Sequence, residues 1–363
     1  MAGSTMHAVA VTPGIRDSAR LVQVPLAPIR PDEVLVRTVR VGVCGTDAEI
    51  NGGLYGAAPQ GSGFLILGHE SFGQVAQVGR NVRGILPGEF VVAMVRRPDG
   101  CPNCEKKEQD MCLWGGYVER GVKGMHGFLA EYFVDQPDYL VKVSPAVASF
   151  GVLVEPLSIV EKAVRQTFKI QERMTWQPRT ALVLGAGPIG LLATFLLRSR
   201  GLRTYTASRN PDDSLKAQLA RAVGGTYVSV GRQPLSEMSK QMGNLDVIIE
   251  ATGNSGMALE SMGLLGTNGV LCLTSVTGGR SEARIDASAL NQGMVLGNKL
   301  IFGTVNASIQ DVRQAVEELA VFEGLWPGLL GRMITRRSPY TDFAAALHRG
   351  ADDIKVVIEF GAS

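Results

Sequence analysis

Surplus charge of either sign is missing from this 363-residue chain: 36 basic residues face 34 acidic ones, and no dense Lys/Arg cluster breaks the balance. Nucleic-acid binding therefore has no electrostatic footprint. Internal repeats and low-complexity tracts are missing too, which excludes a solenoid array. Met1 to Met6 carries no basic region followed by an apolar block. No secretory leader is expected from it, and a reducing cytoplasm is the expected compartment. Met6 is an alternative start, with the first five residues an extension. One uncharged stretch, the eighteen residues between Arg179 and Arg198, approaches membrane-spanning length. Two glycines and a proline in its first half fit a strand, a turn and a helix better than one span, so no membrane is expected. Cysteine is scarce, at five, and three of them crowd between Cys101 and Cys112. That spacing suits metal chemistry, not a disulfide framework.

The length exceeds what one hydrophobic core serves, so two domains are expected. The 44 glycines point to many tight turns. Residues 6–145 alternate short strand-like runs with glycine turns, at His7 to Val11, Glu33 to Val41, Gly73 to Val78, Phe90 to Met94 and Gly127 to Val134. A compact β-rich domain follows from that density of strands. Helical patterning begins near Val154, and strand and helix alternate from Thr180 to about Val305, the pattern of a doubly wound α/β sheet. Later strands are expected at Val247 to Ile249, Val270 to Leu273 and Leu300 to Phe302. The tail, Asp311 to Phe360, reads as a helix and short elements able to return to the first domain.

The stretch from Thr180 to Asn210 carries the clearest motif. An apolar strand, Ala181 to Leu184, leads into Gly185, Gly187 and Gly190 at G-x-G-x-x-G spacing, with a long apolar helix and a second strand, Arg203 to Ala207, behind them. The three glycines suit a tight turn, close approach of a pyrophosphate and close helix–strand contact. The helix start, with Pro188 and Ile189, turns its unpaired N–H groups toward phosphate. NAD-binding versions end the second strand on an acid that accepts the ribose 2′-hydroxyl. Here it ends Ser208-Arg209-Asn210, a hydroxyl and a guanidinium that suit a 2′-phosphate. Asp212 and Asp213 come slightly later. NADP is favoured, with NAD open.

The β-rich half also holds metal-ligand types: Cys44 in VGVCGTD, His69-Glu70 in LGHES and Glu155 in LVEPLS. Thiolate, imidazole and carboxylate form the zinc-binding set, and three protein ligands with an open position is the catalytic pattern. His69 and Glu70 are adjacent, so one is expected to ligate while the other supports or replaces it. Thr46 places a hydroxyl where it can start a proton exit. Cys101, Cys104 and Cys112, with Asp99 as the best-placed fourth ligand, read as a closed structural zinc site or as a lapsed one. Cys272 lies in an apolar strand and reads as packed.

With these motifs in place, the chain resembles the zinc-dependent medium-chain alcohol dehydrogenase/reductase superfamily over nearly its whole length, and within it the archaeal-type glucose dehydrogenase branch. CGTD, GHE, the cysteine loop, LVEPLS-IVEKA, GAGPIG and GNKLIFGTVNA occur in that order. The resemblance implies a GroES-like catalytic domain over 1–165, a Rossmann nucleotide-binding domain over 166–308 and a segment, 309–363, returning to the catalytic domain. It assigns the catalytic zinc to Cys44, His69, Glu70 and Glu155, and sugar contacts to Thr46, Glu119, Glu155 and Asn306. Nicotinamide and ribose contacts fall on Thr252, Thr274, Ser275, Val276, Thr304 and Asn306. It implies oxidation of an aldose at C1 to the lactone with hydride transfer to NADP, in a homodimer or homotetramer. Asp99 replaces the family's usual first cysteine of the structural site. Val95 stands where some members carry a sugar-binding asparagine, and Leu296 where some carry a histidine. A polyol or secondary-alcohol dehydrogenase is the alternative, and a non-catalytic NADPH-binding protein of the quinone-reductase type a remote one.

Overall fold

A computed structural model describes residues 5–231, 235–276 and 282–361. The opening residues read for a leader, Met1 to Ser4, lie outside that range. The chain divides into two units. One comprises Met1–Ser158, Asn306–Ala320 and Leu330–Ser363, the other Ile159–Val305 and Val321–Leu329. The divisions at 158 and 305 stand where the sequence expectation set 165 and 308. The tail divides further, Val321–Leu329 joining the second unit.

In the first unit, Val34–Val43 is the strand from which the site is built. It is buried over most of its length because valine and leucine alternate through VLVRTVRVGV. It pairs antiparallel with Glu70–Val78 and with Lys355–Glu359, and Tyr132–Asp135 joins it as a third partner. The register sets Gly42 opposite Glu70 and Val43 opposite Val356. Residues from three distant parts of the sequence thus meet at one end of the sheet. The expected strand over Gly127 to Val134 is shorter, at Tyr132–Asp135. Its first half instead bonds as a loop, with Leu129 and Phe128 donating to the carbonyls of Leu67 and Gly68. The core beneath contains Val36, Val41, Leu65, Val91, Phe128 and Ile358, all buried.

The second unit holds a six-stranded parallel sheet among the described residues. Its order is Thr226–Ser229, Arg203–Ser208, Thr180–Leu184, Val247–Glu250, Val270–Leu273, Leu300–Gly303. Numbered along the chain this is 3-2-1-4-5-6, the Rossmann order, and the order reverses beside the first strand, where dinucleotides bind. Ala181 to Leu184 are buried on both faces, as a central parallel strand requires. Pro188–Ser199 follows as an almost wholly buried helix, which accounts for the long uncharged run. Among the described residues no helix is long and apolar enough to cross a membrane.

Phe195 on that helix is fully buried and meets Phe322 and Trp326 with ring centroids 5.6 and 5.5 Å apart. Replacing Phe195 by Ala should destabilise the protein by about 3–5 kcal/mol, the usual cost of emptying a buried aromatic site. Urea denaturation checks this, with Leu86→Ala at an exposed position expected to stay within about 0.5 kcal/mol.

Candidate active site and metal centres

Cys44 follows the strand end at Val43 and caps the short helix Gly45–Asn51. The Asp47 carboxylate accepts the Cys44 N–H at 2.9 Å and the Gly68 N–H at 3.2 Å. One buried side chain therefore locks the helix start to the turn before His69. Asp47 also lies 3.6 Å from His69 Nδ1, just beyond hydrogen-bond length. A carboxylate facing one ring nitrogen orients the ring and commits the other to a metal. Burial opposes charge on His69, but Asp47 and the Cys44 thiol together raise its pKa well above the usual value. Burial also opposes ionisation of Asp47, and His69 with the two backbone donors overcomes it, holding that pKa below the usual carboxylate range.

Ligand atoms of Cys44, His69 and Glu70 lie within 4.8 Å of one another. Tetrahedral zinc with bonds of about 2.0–2.3 Å spaces its ligands roughly 3.3–3.8 Å apart, so sulfur, nitrogen and oxygen here fit that ion with small movements. Both Glu70 oxygens also accept from Lys355 Nζ, at 2.6 and 2.5 Å, in a fully buried ion pair. Lys355 thus fixes the Glu70 carboxylate beside Cys44 and His69. Glu155 opens the helix Val154–Ile170 and stands outside the group of three. Burial, with the Glu70 charge adding to it and His69 and Lys355 opposing, pushes its pKa up to about 7. The Thr46 hydroxyl lies 3.9 Å from Cys44 Sγ. Tyr55, which sequence reasoning missed, interacts with that hydroxyl, and burial pushes its phenol up to about 12.

Glu119 and Asn306, 187 residues apart, are joined by a hydrogen bond of 2.9 Å from Asn306 Nδ2 to Glu119 Oε1. Asn306 holds a left-handed backbone, φ 60°, which asparagine tolerates better than most residues. Val95 lines a small hollow with Glu155 and Asn306, presenting an apolar wall there. Leu296 is exposed at the end of its helix in the second unit.

The ligand atoms of Asp99, Cys101, Cys104 and Cys112 all fall within 4.8 Å of one another. Cys112 Sγ is 3.0 Å from Asp99 Oδ2 and 3.9 Å from Cys101 Sγ. Backbone donors of Cys101 and Gly116 hold the Asp99 carboxylate, at 3.0 and 2.9 Å. The Cys112 thiol, with that backbone support, keeps Asp99 ionised far below the usual carboxylate range. A three-sulfur, one-oxygen cage fits a closed zinc site.

In the second unit the motif glycines divide their tasks. Gly185 has φ +104°, and a Cβ on it would lie 2.6 Å from the Ala251 carbonyl. On Gly190 it would lie 2.0 Å from the Gly185 carbonyl, while beside Gly187 the space is open. Pro188 and Ile189 begin the helix there. At the next strand end, Ser208 Oγ is 2.6 Å from the Tyr227 hydroxyl and 3.1 Å from Asn210 Oδ1. Arg209 is exposed, with no partner for its guanidinium among the described residues. Asp212 pairs with Arg221 at 2.9 Å. Thr252, Thr274 and Ser275 all hang on Glu250, which sequence reasoning also missed. Its carboxylate accepts from the Thr252 N–H at 2.7 Å and from the Ser275 hydroxyl, and its carbonyl accepts from Thr274 Oγ1 at 2.7 Å. Val276 beside them is exposed, and the buried Thr304 hydroxyl has no hydrogen-bond partner among the described residues. Cys272 is buried and packed.

Two family models match, the alcohol dehydrogenase GroES-like domain over residues 30–145 and the glucose dehydrogenase C-terminus over residues 148–360. Glucose 1-dehydrogenase of Methanocella arvoryzae is 44% identical over 359 residues, covering 98% of this chain and 100% of that protein. The chain belongs to the glucose dehydrogenase family. The Thermoproteus tenax glucose 1-dehydrogenase is 40% identical over 98% of this chain and 99% of its own length. Among solved structures, Haloferax mediterranei glucose dehydrogenase in complex with NADP, Zn and gluconolactone superposes with TM-score 0.90 at 33% identity, covering 99% of this chain and 100% of that one. Within this glucose dehydrogenase family fold, Asp47, Lys355 and Glu250 are the support residues the sequence did not mark. Asp47 stood within the CGTD motif. Lys355 and Glu250 carried no local signal.

Two results test these centres. Metal analysis of the purified protein should give about two zinc ions per chain, falling to about one in Cys44→Ala and in Cys104→Ser. Arg209→Ala should raise KM for NADP at least about tenfold while leaving KM for NAD within about twofold, the signature of a lost guanidinium–phosphate contact.

Proposed function

We infer that this protein oxidises an aldose, D-glucose foremost, at C1 to the lactone, passing a hydride to NADP and releasing a proton. The observation that carries the sugar reading is the Glu119–Asn306 hydrogen bond. It makes a polar pair suited to ring hydroxyls in the same unit as Cys44, His69 and Glu70. A site built around such partners rejects substrates that lack the matching hydroxyl by large factors.

Cys44 and His69 would hold the zinc, with Glu70 in support. Bound there it supplies Lewis acidity of the kind that lowers the pKa of coordinated water from 15.7 to about 7. Asp47 keeps the His69 ring oriented for that role. The Thr46 hydroxyl receives the proton leaving the C1 hydroxyl and passes it outward past Tyr55. Glu155, with a pKa near 7, is poised to hold or release a proton beside the sugar. On the cofactor side, Gly187 leaves room for the pyrophosphate and the helix start at Pro188–Ile189–Gly190 offers its N–H groups. Ser208, Arg209 and Asn210 take the adenosine ribose and its 2′-phosphate. Thr252, Thr274, Ser275, Val276 and Thr304 would line the nicotinamide end within the second unit. The Asp212–Arg221 pair leaves that carboxylate engaged, which supports NADP over NAD.

The parallel sheet ends on Leu300–Gly303, an edge strand able to pair with its copy in a homodimer, and two dimers make a tetramer. Five free cysteines suit a reducing cytoplasm.

NADPH formation on a panel of aldoses and polyols separates the readings. Glucose should be turned over with at least about a hundredfold higher kcat/KM than sorbitol or threonine, with a lactone as product, and the rate should vanish after chelation and return with zinc. Preference for a polyol would transfer the protein to the alternative. Turnover that survives chelation would remove the metal from the mechanism.

A further inference from the structure

Arg96 is almost fully buried, at 4% exposure. It lies directly across from Glu119 in the antiparallel pairing of Arg96–Arg97 with Val118–Arg120. Its Nε donates to Glu119 Oε1 at 3.0 Å, the same oxygen that accepts from Asn306. Its Nη1 turns to the carbonyls of Gln109 and Asp110, at 3.4 and 3.3 Å, in the short turn that leads into Cys112. The guanidinium also stacks on Tyr117, 3.7 Å from the ring centre.

These contacts fix one rigid object from three sides. A guanidinium is planar with its donors in a set fork, so seating Nη1 on the metal loop determines the direction in which Nε meets Glu119. With Oε1 held by both Arg96 and Asn306, Oε2 is the oxygen left for a substrate hydroxyl. We propose that Arg96 is the positioning residue of the sugar-binding acid Glu119, and that the Cys101–Cys112 metal loop sets the sugar subsite through it. The proposal rests on the reading of Glu119 as a sugar contact. A lysine cannot replace the bridge, because a single ammonium lacks the second arm that reaches the loop.

Steady-state kinetics of the zinc-loaded enzyme with glucose and NADP test it, in Arg96→Met, Arg96→Lys, Glu119→Gln and the Arg96→Met/Glu119→Gln double variant. Arg96→Met should raise KM for glucose about tenfold or more, with kcat changed less than about threefold and NADPH affinity unchanged. Arg96→Lys should recover only part of that loss. On the Glu119→Gln background, Arg96→Met should add less than about twofold, because the two residues act as one unit. Should Arg96→Met not fold, Arg96→Lys alone and combined with Glu119→Gln makes the same comparison. Additive effects, or a kcat loss as large as the KM change, would overturn the proposal while leaving Glu119 as a sugar contact. A silent Glu119→Gln would overturn both.

Discussion

The first unit depends on a side chain that is not there. A Cβ on Gly42 would stand 1.9 Å from Glu70 Oε2, where no atom can go. Because that space is open, Glu70 folds across its strand partner and reaches Lys355, which arrives on the next strand over. A buried ion pair of this kind gains little over an apolar pair, yet losing one partner leaves an uncompensated charge that costs about 3–5 kcal/mol. The sheet register and the pair therefore enforce each other. A slip of one residue would turn Glu70 to the opposite face and strand Lys355. Cys44 and His69, adjacent to this junction, inherit their positions from it.

Local spacing was readable from the sequence and long-range register was not. Ala181 to Leu184, the three motif glycines and the buried helix after them were legible because they act within one continuous stretch, Ala181 to Ser199. Cys101, Cys104 and Cys112 were legible for the same reason, and Asp99 joined them within the same loop. Val270–Leu273 matched its expected bounds, since a strand buried over most of its length announces itself by an unbroken apolar run. The Gly127 to Val134 run misled for a physical reason. Its apolar residues are buried through loop hydrogen bonds to the Leu67–Gly68 turn, and burial alone does not distinguish a strand from a packed loop. Lys355, 285 residues from Glu70, has no neighbour in sequence that hints at a carboxylate partner. Glu119 could be named only through the family resemblance, since a single acid in YVERG looks like any loop acid.

Carboxylates recur as organisers wherever the structure has to aim something. Asp47 collects two backbone N–H groups and faces His69, Glu119 collects Arg96 and Asn306, and Glu250 collects a backbone N–H and two hydroxyls. An ionised carboxylate accepts several hydrogen bonds at once, and each charge-assisted bond is roughly twice as strong as a neutral one. One such residue can therefore fix two or three segments that share no continuous backbone. Hydroxyls bound this way present their remaining lone pairs in a defined direction, which is what a binding site needs.

The end of the second parallel strand applies the same logic in reverse, through a charge with no partner among the described residues. Asp212 and Arg209 lie three residues apart and have opposite fates. The aspartate is paired with Arg221, itself lying 5.5 Å from the Tyr227 ring. The Ser208 hydroxyl is anchored by Tyr227 and Asn210, giving Arg209 a fixed base while its own guanidinium stays exposed. An exposed cation gains little from a distant surface anion, about 0–1 kcal/mol, but a phosphate monoester spreads up to about two negative charges over its oxygens in the geometry a guanidinium fork matches. Selectivity between two dinucleotides that differ by one phosphate turns on whether an acid or a guanidinium meets the ribose at this strand end. In this chain the acid, Asp212, stands beside Arg221, from a helix the fingerprint motif does not include, while the Arg209 guanidinium is exposed.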